Sequence, residues 1–363
     1  MKKILILSNH HTYTYNFRKE IIQELLDNNY KVYIVLPYGK KVDKLIEMGC
    51  EFIQINLDRR GMNPRKDLRL LRDYYKIIKT VKPHAVLSYT IKPNVYGGLV
   101  TRLLNIPFFP NVTGLGSAVE KESIFQKFML MLHRLSFKNA ACVFFQNKTN
   151  LKYFWKHKII KKNHQLIPGS GVNLKEFSLL DYPSDEIVKF VFISRIMREK
   201  GIDQYLEAAK NIKAKYPNTE FHVCGFCEQD YEKVLHDYED KGIIIYHGMV
   251  NNIVDVLKEI HCTVHPTYYP EGMSNVLLES AASGRPVLTT NRSGCREIVD
   301  NARNGYLLKK LNSENLSKEI ERFILISYED KKRMGLEGRF KVENEYDRKL
   351  VVDSYIKNLK NVI

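Results

Sequence analysis

Residues 262–287, CTVHPTYYPEGMSNVLLESAASGRPV, are the most informative stretch of the chain for its fold and its site. The apolar residues Cys262 and Val264 predict the end of a buried strand that runs into a turn. Further apolar residues then recur at helical spacing, and Gly284 and Pro286 end the helix. They are Val276, Leu277, Ala281 and Ala282. The stretch therefore predicts a strand, a tight loop and a helix.

The start of this helix suits an anionic ligand. Backbone N–H groups there point out of the helix, where the aligned peptide dipoles favour a phosphate. Glu271 precedes this position, and Glu279 follows eight residues later. A carboxylate has two acceptor oxygens, which suit a pair of sugar hydroxyls. We therefore expect the two glutamates to hold two sugars of one nucleotide-sugar. The free N–H groups expected to face the phosphate belong to Gly272, Met273, Ser274 and Asn275.

This order of residues resembles the donor-site motif of family-4 retaining glycosyltransferases of the GT-B fold. The motif is Glu271, seven residues, Glu279 and then Ala-Ala-Ser-Gly-Arg-Pro-Val over residues 281–287. The resemblance implies an α/β fold in which two doubly wound parallel-sheet (Rossmann-like) domains face each other across a cleft. It also implies transfer of a sugar from a UDP-sugar to a hydroxyl group with the anomeric configuration retained.

Composition is typical of a globular protein with two domains. The chain has 363 residues, of which 44% are hydrophobic and 27% are charged. No run of 18 apolar residues occurs in the sequence, and the apolar part of its N-terminus, Ile4–Leu7, is too short for a signal peptide. We therefore expect a cytoplasmic protein.

The sequence gives little sign of a metal site. Among the six cysteines, only Cys224 and Cys227 have the spacing of a redox or metal pair, and no second pair accompanies them. The sequence also contains no Asp-x-Asp box. We expect metal-independent catalysis, with the UDP-sugar as a substrate and no cofactor.

Positive charge is concentrated in the first half of the chain. Residues 1–180 contain 30 lysines and arginines against 12 acidic residues, whereas residues 181–363 contain 27 against 29. An anionic partner is therefore expected at the first half, and a membrane surface, a lipid diphosphate and nucleic acid are the candidates.

Strand-like and helix-like segments alternate in both halves, which predicts parallel sheets with helices on both faces. The strands expected in the first half are Ile4–Ser8, Lys31–Pro37, Glu51–Ile55, Ala85–Tyr89, Phe108–Val112 and Cys142–Gln146. Those expected in the second half are Lys189–Ser194, Phe221–Gly225, Ile243–Gly248 and Cys262–Pro266.

The resemblance assigns a role to each part of the chain. Residues 1–170 are interpreted as an N-terminal acceptor-binding domain and residues 171–185 as a linker. Residues 186–345 are interpreted as a C-terminal nucleotide-sugar donor domain. Residues 346–363 are expected to form a helix that crosses back to the N-terminal domain.

A cationic helix is predicted after Asn63, which suits a cap, and Pro64, which suits the first helical position. Its cations fall at steps of four and three without interleaved acidic partners, and they are Arg65, Arg69, Arg72, Lys76 and Lys79. A second face, expected to pack on the core, contains Leu68, Leu71, Tyr75 and Ile78. Arg59 and Arg60 extend the cationic patch. We expect this patch to contact an anionic membrane surface, and a solvated surface is the alternative.

The second half supplies the other donor residues that the resemblance implies. Arg195 and Lys200 match the two cations with which the family holds the donor diphosphate, and fixed cations stabilise the negative charge that builds up on the leaving nucleotide. The loop that receives the base is expected to include His247, Met249 and Val250. Gly171 lies in the segment that resembles the part of the family's chain at the cleft.

Two segments of the first half resemble bacterial family members that extend undecaprenyl-diphosphate-linked sugars for capsule, O-antigen or protein glycans. Lys92 lies in the first, residues 89–97, and Thr113 in the second, residues 111–116. Many relatives have a histidine or an acidic residue at the position of Thr113, so no catalytic base is identified.

The apolar segment 124–138 predicts a helix that packs in the core or, alternatively, inserts shallowly into a membrane. We therefore expect a cytoplasmic enzyme that associates peripherally with the inner face of the cell membrane.

The expected reaction transfers Gal, Glc or an N-acetylhexosamine from a UDP-sugar to a lipid-diphosphate-linked glycan in surface polysaccharide synthesis. Two alternatives remain open at this point. One is a GT-B nucleotide-sugar epimerase or phosphorylase. The other is a non-enzymatic protein that binds nucleic acid through its basic half, although the sequence contains no recognised nucleic-acid module and no nucleic-acid partner is expected.

Overall fold

The computed structural model describes residues 1–58, 63–114 and 124–363, with only the backbone described at Ile124 and Phe125. Two compact units account for these residues. The first unit comprises Met1–Gly171 and Arg348–Ile363, and the second comprises Val172–Asp347.

The described residues of the first unit form a seven-stranded parallel sheet with the order β3-β2-β1-β4-β5-β6-β7. Its strands are β1 (Lys3–Leu7), β2 (Lys31–Leu36), β3 (Glu51–Gln54), β4 (Ala85–Tyr89), β5 (Phe108–Val112), β6 (Val143–Phe145) and β7 (His164–Leu166). The crossover helices are α1 (His11–Asp27), α2 (Lys41–Glu47), α3 (Pro64–Val81), α4 (Gly98–Leu103), α5 (Ile124–Phe137) and α6 (Lys148–Lys156). A short π-helix, Pro93–Gly97, leads into α4.

The described residues of the second unit form a six-stranded parallel sheet with the order β10-β9-β8-β11-β12-β13. Its strands are β8 (Val188–Ile193), β9 (Thr219–Cys224), β10 (Ile245–Tyr246), β11 (Cys262–His265), β12 (Val287–Thr290) and β13 (Gly305–Leu308). The helices are α7 (Ile202–Lys215), α8 (Glu232–Asp240), α9 (Ile253–Lys258), α10 (Asn275–Ala282), α11 (Ser313–Leu325) and α12 (Tyr328–Glu345).

The last helix, α13 (Arg348–Lys360), belongs to the first unit and packs against α1. Its Tyr355 is fully buried and stacks on Phe144 of β6. The Asn111 side-chain amide donates to the Tyr355 hydroxyl at 2.7 Å. The core of the first unit therefore includes side chains from both ends of the sequence.

The prediction of a doubly wound α/β fold is confirmed, and every expected strand is present with small differences at its ends. Three further strands, β7, β12 and β13, were not among those expected. Strands of only three or four residues show too little periodicity to be distinguished from loops.

The structure corrects the expected core face of α3. Leu70, Tyr74, Ile78 and Val81 face the core, whereas Leu68 is 67% exposed. Both this set and the expected one repeat at helical spacing, so the sequence alone does not decide which set faces the sheet. Asn63 caps the helix as predicted, since its side chain accepts from the N–H groups of Arg65 and Lys66.

Candidate active site

The candidate donor site lies at the carboxyl ends of the second sheet, where the strand order changes direction. β8 lies between β9 and β11, so the chain leaves the sheet on opposite sides after β8 and β11. This switch point is where open parallel sheets bind ligands. Arg195 and Lys200 follow β8 and Glu271 follows β11, so the topology brings together residues more than 70 positions apart.

Lys200 and Glu271 form an ion pair in this loop cluster. The Lys200 ammonium donates to Glu271 Oε1, and only 9% of the lysine side chain and 16% of the glutamate side chain are exposed. Breaking a buried pair by removing one partner typically costs about 3–5 kcal/mol, because the other charge is left without compensation. The pair therefore fixes the loop after β8 against the loop after β11.

Gly201 allows these two loops to approach. Its φ is +82°, in the left-handed region that favours glycine, and a Cβ there would overlap the carbonyl oxygen of Pro266. Next to it, the Glu199 carbonyl accepts from the N–H groups of Tyr268 and Tyr269 at 2.9 and 3.0 Å. Backbone contacts between the two loops therefore hold Lys200 close to Glu271, independently of the ion pair between their side chains.

The sequence did not predict two residues that contact Arg195, Glu228 and Tyr269. Glu228 accepts a hydrogen bond from Arg195 Nη1, and the ring of Tyr269 packs against both cations. The Tyr269 centroid lies 5.5 Å from Arg195 Cζ and 5.0 Å from Lys200 Nζ. Tyr269 lies two residues before Glu271 in the sequence, so its position could have predicted that it lies at the site. Glu228 follows a different strand, and no local pattern connects it with Arg195.

The loop before α10 corrects one expectation. The N–H of Ser274 is not free, because it donates to the carbonyl oxygen of Gly294 at 2.8 Å. The loop after β12 packs over the loop after β11 and takes up this donor. Met273 is buried in the core of the second unit, so only its backbone remains a candidate for ligand contact.

Asn275 and Glu279 lie one turn apart on the same face of α10. Both are half-buried, and Asn275 Oδ1 has no hydrogen-bond partner among the described residues. Glu279 is therefore presented from a rigid element rather than from a loop. The two motif glutamates have different supports, an ion pair for Glu271 and a helix for Glu279.

The expected base-binding loop follows β10. His247 is exposed at its start, and Met249 is 66% exposed. Val250 is half-buried and packs on the hydrophobic core. His247 Nε2 and His222 Nδ1 are 2.9 Å apart, and burial together with the charge of His247 lowers the pKa of His222 to about 4. His222 is therefore neutral at pH 7.

His265 lies directly beside the ion pair and was not identified from the sequence as a site residue. It ends β11, is 1% exposed, and its Nε2 is 4.0 Å from Glu271 Oε1. Neither ring nitrogen has a hydrogen-bond partner among the described residues. Burial and the nearby Lys200 charge hold the pKa of His265 well below its usual value, so the ring is neutral.

Within residues 1–58, 63–114 and 124–363, no three or more His, Cys, Asp or Glu side chains are arranged to hold a metal ion. All six cysteines are free thiols, including Cys224 and Cys227.

The candidate acceptor residues lie in the first unit and have varied surroundings. Lys92 donates to Asp67 at 2.7 Å and is largely buried. Thr113 is half-buried after β5. Arg59 and Arg60, expected to extend the cationic patch, lie outside the described residues, as do residues 115 and 116 of the second acceptor segment.

Gly171 is the last residue of the first unit before the chain enters the second. Its carbonyl oxygen accepts from Arg348 Nη2 at 3.2 Å.

The cations of α3 are exposed, as the sequence predicted for Arg65, Arg69, Arg72, Lys76 and Lys79. One of them has an acidic neighbour, contrary to the expectation of an unrelieved stripe, because Arg69 Nε is 4.0 Å from Asp73. Beside the stripe lies an apolar groove of about 310 Å³ between α3 and α4. Its lining comprises Leu68, Leu71, Arg72, Tyr75, Leu99, Val100 and Leu103.

The helix α4, which lines this groove, also packs against α5. Phe128, Met131 and Leu135 of α5 are 50%, 47% and 39% exposed, whereas Phe137 is buried. Core packing therefore accounts for only part of the apolar character of α5. In the part of the chain that the structure describes, no helix has the length and apolarity needed to span a membrane.

Two doubly wound units, one of them with cations and carboxylates at its switch point, define the GT-B class of α/β proteins. The structure of Anabaena Alr3699/HepE in complex with UDP and glucose has this fold, with a TM-score of 0.81 and 17% identity over 99% of this chain and 100% of that one. Two family models match the sequence, Glycosyl transferases group 1 over residues 182–340 and Glycosyl transferase 4-like over residues 3–147. The two matches together span most of the chain, which therefore belongs to the glycosyltransferases that these models describe.

Relatives that match the chain include two enzymes named for sugars linked to undecaprenyl diphosphate. The N,N'-diacetylbacillosaminyl-diphospho-undecaprenol alpha-1,3-N-acetylgalactosaminyltransferase of Campylobacter jejuni is 26% identical, covering 96% of each chain. The UDP-Gal:alpha-D-GlcNAc-diphosphoundecaprenol alpha-1,3-galactosyltransferase of Escherichia coli is 23% identical and covers 69% of this chain and 68% of its own. The family assignment confirms the prediction of a glycosyltransferase.

Proposed function

We propose that this glycosyltransferase moves a hexose or N-acetylhexosamine from a UDP-sugar to a glycan linked to a polyprenyl diphosphate. The anomeric configuration is retained, and no metal takes part. The observation that carries the donor half of the proposal is the cluster of Arg195, Lys200 and Glu271 at the switch point of the second sheet.

Each member of the cluster has a role in the proposed reaction. Arg195 and Lys200 neutralise the diphosphate as the bond between the sugar and its β-phosphate breaks. This charge is larger in the transition state than in the ground state, so fixed cations lower the barrier. Glu271 accepts hydrogen bonds from the donor sugar's hydroxyls, and Glu279 accepts them from the ribose.

The anomeric configuration is retained if the acceptor attacks the anomeric carbon from the same face that the diphosphate leaves. The acceptor hydroxyl oxygen then bonds to the anomeric carbon as the bond to the diphosphate breaks, and its proton passes to a diphosphate oxygen. This route needs no carboxylate nucleophile and no base at Thr113.

The names of the two relatives support the acceptor half of the proposal. Both act on sugars linked to undecaprenyl through a diphosphate. The exposed cations of α3 suit such a diphosphate or the headgroups around it, and the neighbouring apolar groove and the exposed side chains of α5 suit the headgroup boundary. We therefore propose that the first unit docks on the inner face of the cell membrane and takes part in surface polysaccharide synthesis.

The test is a transfer assay with purified protein and a panel of UDP-sugars. UDP release is measured with and without a polyprenyl-diphosphate disaccharide, first in EDTA and then with Mg²⁺ or Mn²⁺ added. We expect one donor to release UDP rapidly only when the lipid is present, at the same rate with and without EDTA. Nuclear magnetic resonance of the product is expected to show the donor's anomeric configuration.

Other outcomes separate the competing activities. A product formed from the donor without an acceptor alcohol indicates an epimerase or a phosphorylase. Activity that is lost in EDTA and restored by a metal contradicts metal independence. An inverted product rules out the front-face route.

A further inference from the structure

The buried ring of His265 is costly for the fold, and no hydrogen bond to its nitrogens from the described residues offsets this cost. A polar group without a partner in the interior is destabilising, because it gives up its hydrogen bonds to water. Both ring nitrogens of His265 are in this position. One residue before the start of the same strand, His261 shows the ordinary arrangement. Its Nδ1 is 3.1 Å from the N–H of Lys189 and its Nε2 is 2.9 Å from the Ser184 carbonyl oxygen.

The position of His265 is fixed by its backbone. Its residue pairs with Thr289 across β11 and β12, and the Thr289 hydroxyl donates to the His265 carbonyl oxygen at 2.7 Å. The ring therefore has little freedom to move away from the ion pair. Its Nε2 is 4.0 Å from Glu271 Oε1, about 1 Å beyond hydrogen-bond distance.

The ion pair joins two groups that the proposed function sends to different parts of the donor. Lys200 is assigned to the diphosphate and Glu271 to the hydroxyls of the transferred sugar. When the ammonium moves towards the diphosphate, Glu271 loses part of its support in a buried setting, where a carboxylate needs hydrogen bonds. His265 is the adjacent side chain with unused hydrogen-bonding capacity.

We propose that His265 is a positioning residue that holds Glu271 in place during transfer, through a hydrogen bond from its neutral Nε2–H to Glu271 Oε1. The inference rests on the proposed function and deepens it. A neutral donor is suited to this task because it fixes the carboxylate without cancelling the charge that attracts the sugar hydroxyls. A second cation would compete with Lys200 for the carboxylate.

The test compares His265→Phe with the wild type in the transfer assay. Phenylalanine keeps an aromatic ring but removes the donor, so we expect kcat to fall on the order of 10-fold to 100-fold, since misplacing a group by about 1 Å costs up to this much. Affinity for UDP, which lacks the transferred sugar, is expected to stay unchanged in calorimetry. The Tm is expected to rise by about 2–4 °C, because the unpaired buried group is gone.

Two further variants separate positioning from packing. His265→Gln restores an N–H donor near the original one, and we expect it to recover most of the lost kcat. The double variant His265→Phe with Glu271→Gln is expected to be no slower than Glu271→Gln alone, because a positioning residue acts only through the carboxylate it positions.

His261→Phe is the matched control, at a buried histidine just before the same strand. It removes two satisfied hydrogen bonds, so we expect a lower Tm with kcat maintained, the reverse of His265→Phe. If His265→Phe does not fold, the smaller His265→Leu takes its place.

The possible failures are distinct. If His265→Phe keeps the wild-type kcat while Glu271→Gln is impaired, or if the two substitutions multiply in the double variant, the inference is overturned and the proposed function stands. If the wild type transfers sugar from no UDP-sugar, the proposed function is wrong and the inference falls with it.

Discussion

At the scale of single residues, the two motif glutamates are chemically alike but differently held. Glu271 is largely buried against Lys200, while Glu279 projects from α10. A contact to the reacting sugar is strengthened as the bond breaks, whereas a contact to the ribose is the same before and during the reaction. Substitutions at the two positions are therefore expected to change different kinetic constants, kcat for Glu271 and KM for Glu279.

Glu271→Gln is expected to lower kcat on the order of 100-fold to 1000-fold, the usual loss when one transition-state contact is removed. Glu279→Gln is the matched control, with the same chemical change eight residues later. It is expected to raise the KM for the UDP-sugar with kcat nearly unchanged, because it removes uniform binding. Steady-state kinetics with circular dichroism as a check on folding measures both. Equal kinetic effects at the two positions would contradict the assignment of Glu271 to the transferred sugar.

At the scale of elements, α3 has three different faces. One faces the core through Leu70 and Tyr74, a second lines the apolar groove through Leu71 and Tyr75, and the third carries the cations. Because an apolar strip lies directly beside a charged one, this helix suits the boundary between lipid headgroups and acyl chains. A helix that was merely solvated would gain nothing from this arrangement.

Replacing Arg69, Arg72 and Lys76 by Glu is expected to weaken binding to anionic liposomes on the order of 100-fold or more. Each cation near such a surface contributes about 1 kcal/mol, and three together correspond to about two orders of magnitude. Sedimentation with phosphatidylglycerol vesicles measures the effect.

The matched control makes the same charge change on exposed lysines of the second unit, Lys309, Lys310 and Lys332. We expect it to bind vesicles nearly as the wild type does. If both triple variants lose binding equally, net charge rather than the α3 surface governs association.

At the scale of the whole molecule, buried histidines make stability depend on pH. Burial lowers the pKa values of His133, His222, His261 and His265, so near pH 6 the folded protein binds fewer protons at these rings than the unfolded chain does. The unfolded chain takes up protons below its ordinary histidine pKa of about 6.5. Because the unfolded state then binds more protons, stability falls as the pH drops below that value and is fully present above it.

Lowering the pH from 7.5 to 5.5 is therefore expected to reduce the free energy of unfolding, by about 1 kcal/mol through His222 alone, whose folded-state pKa lies below this range. This range lies above the ordinary titration of Asp and Glu. For His222, whose pKa is lowered to about 4, the loss continues as the pH falls towards that value. Urea denaturation at both pH values measures the change in the free energy of unfolding. This change is expected to be smaller in His222→Gln than in the wild type. A stability that is the same at both pH values would show that these rings are not held neutral.

Much of the fold was predictable because its signals are local. Apolar strands alternate with helical segments at short range, and caps such as Asn63 act within three residues. The donor-site motif could likewise be predicted, since Glu271 lies in one loop and Glu279 in the short helix that follows it. These features depend on neighbours in the sequence, so the sequence determined them by itself.

The tertiary structure alone decided which distant residues meet. Strand order places β8 beside β11, and this brings Lys200 to Glu271 and both to His265, while Glu228 reaches Arg195 from the end of β9. The same applies to the face that α3 turns towards the core, because two apolar sets satisfy its periodicity. The physical reason is that the spacing of apolar residues shows only that one face of a helix or strand is apolar. Which partner covers that face, and which side chain ends without one, is settled when the sheet is assembled.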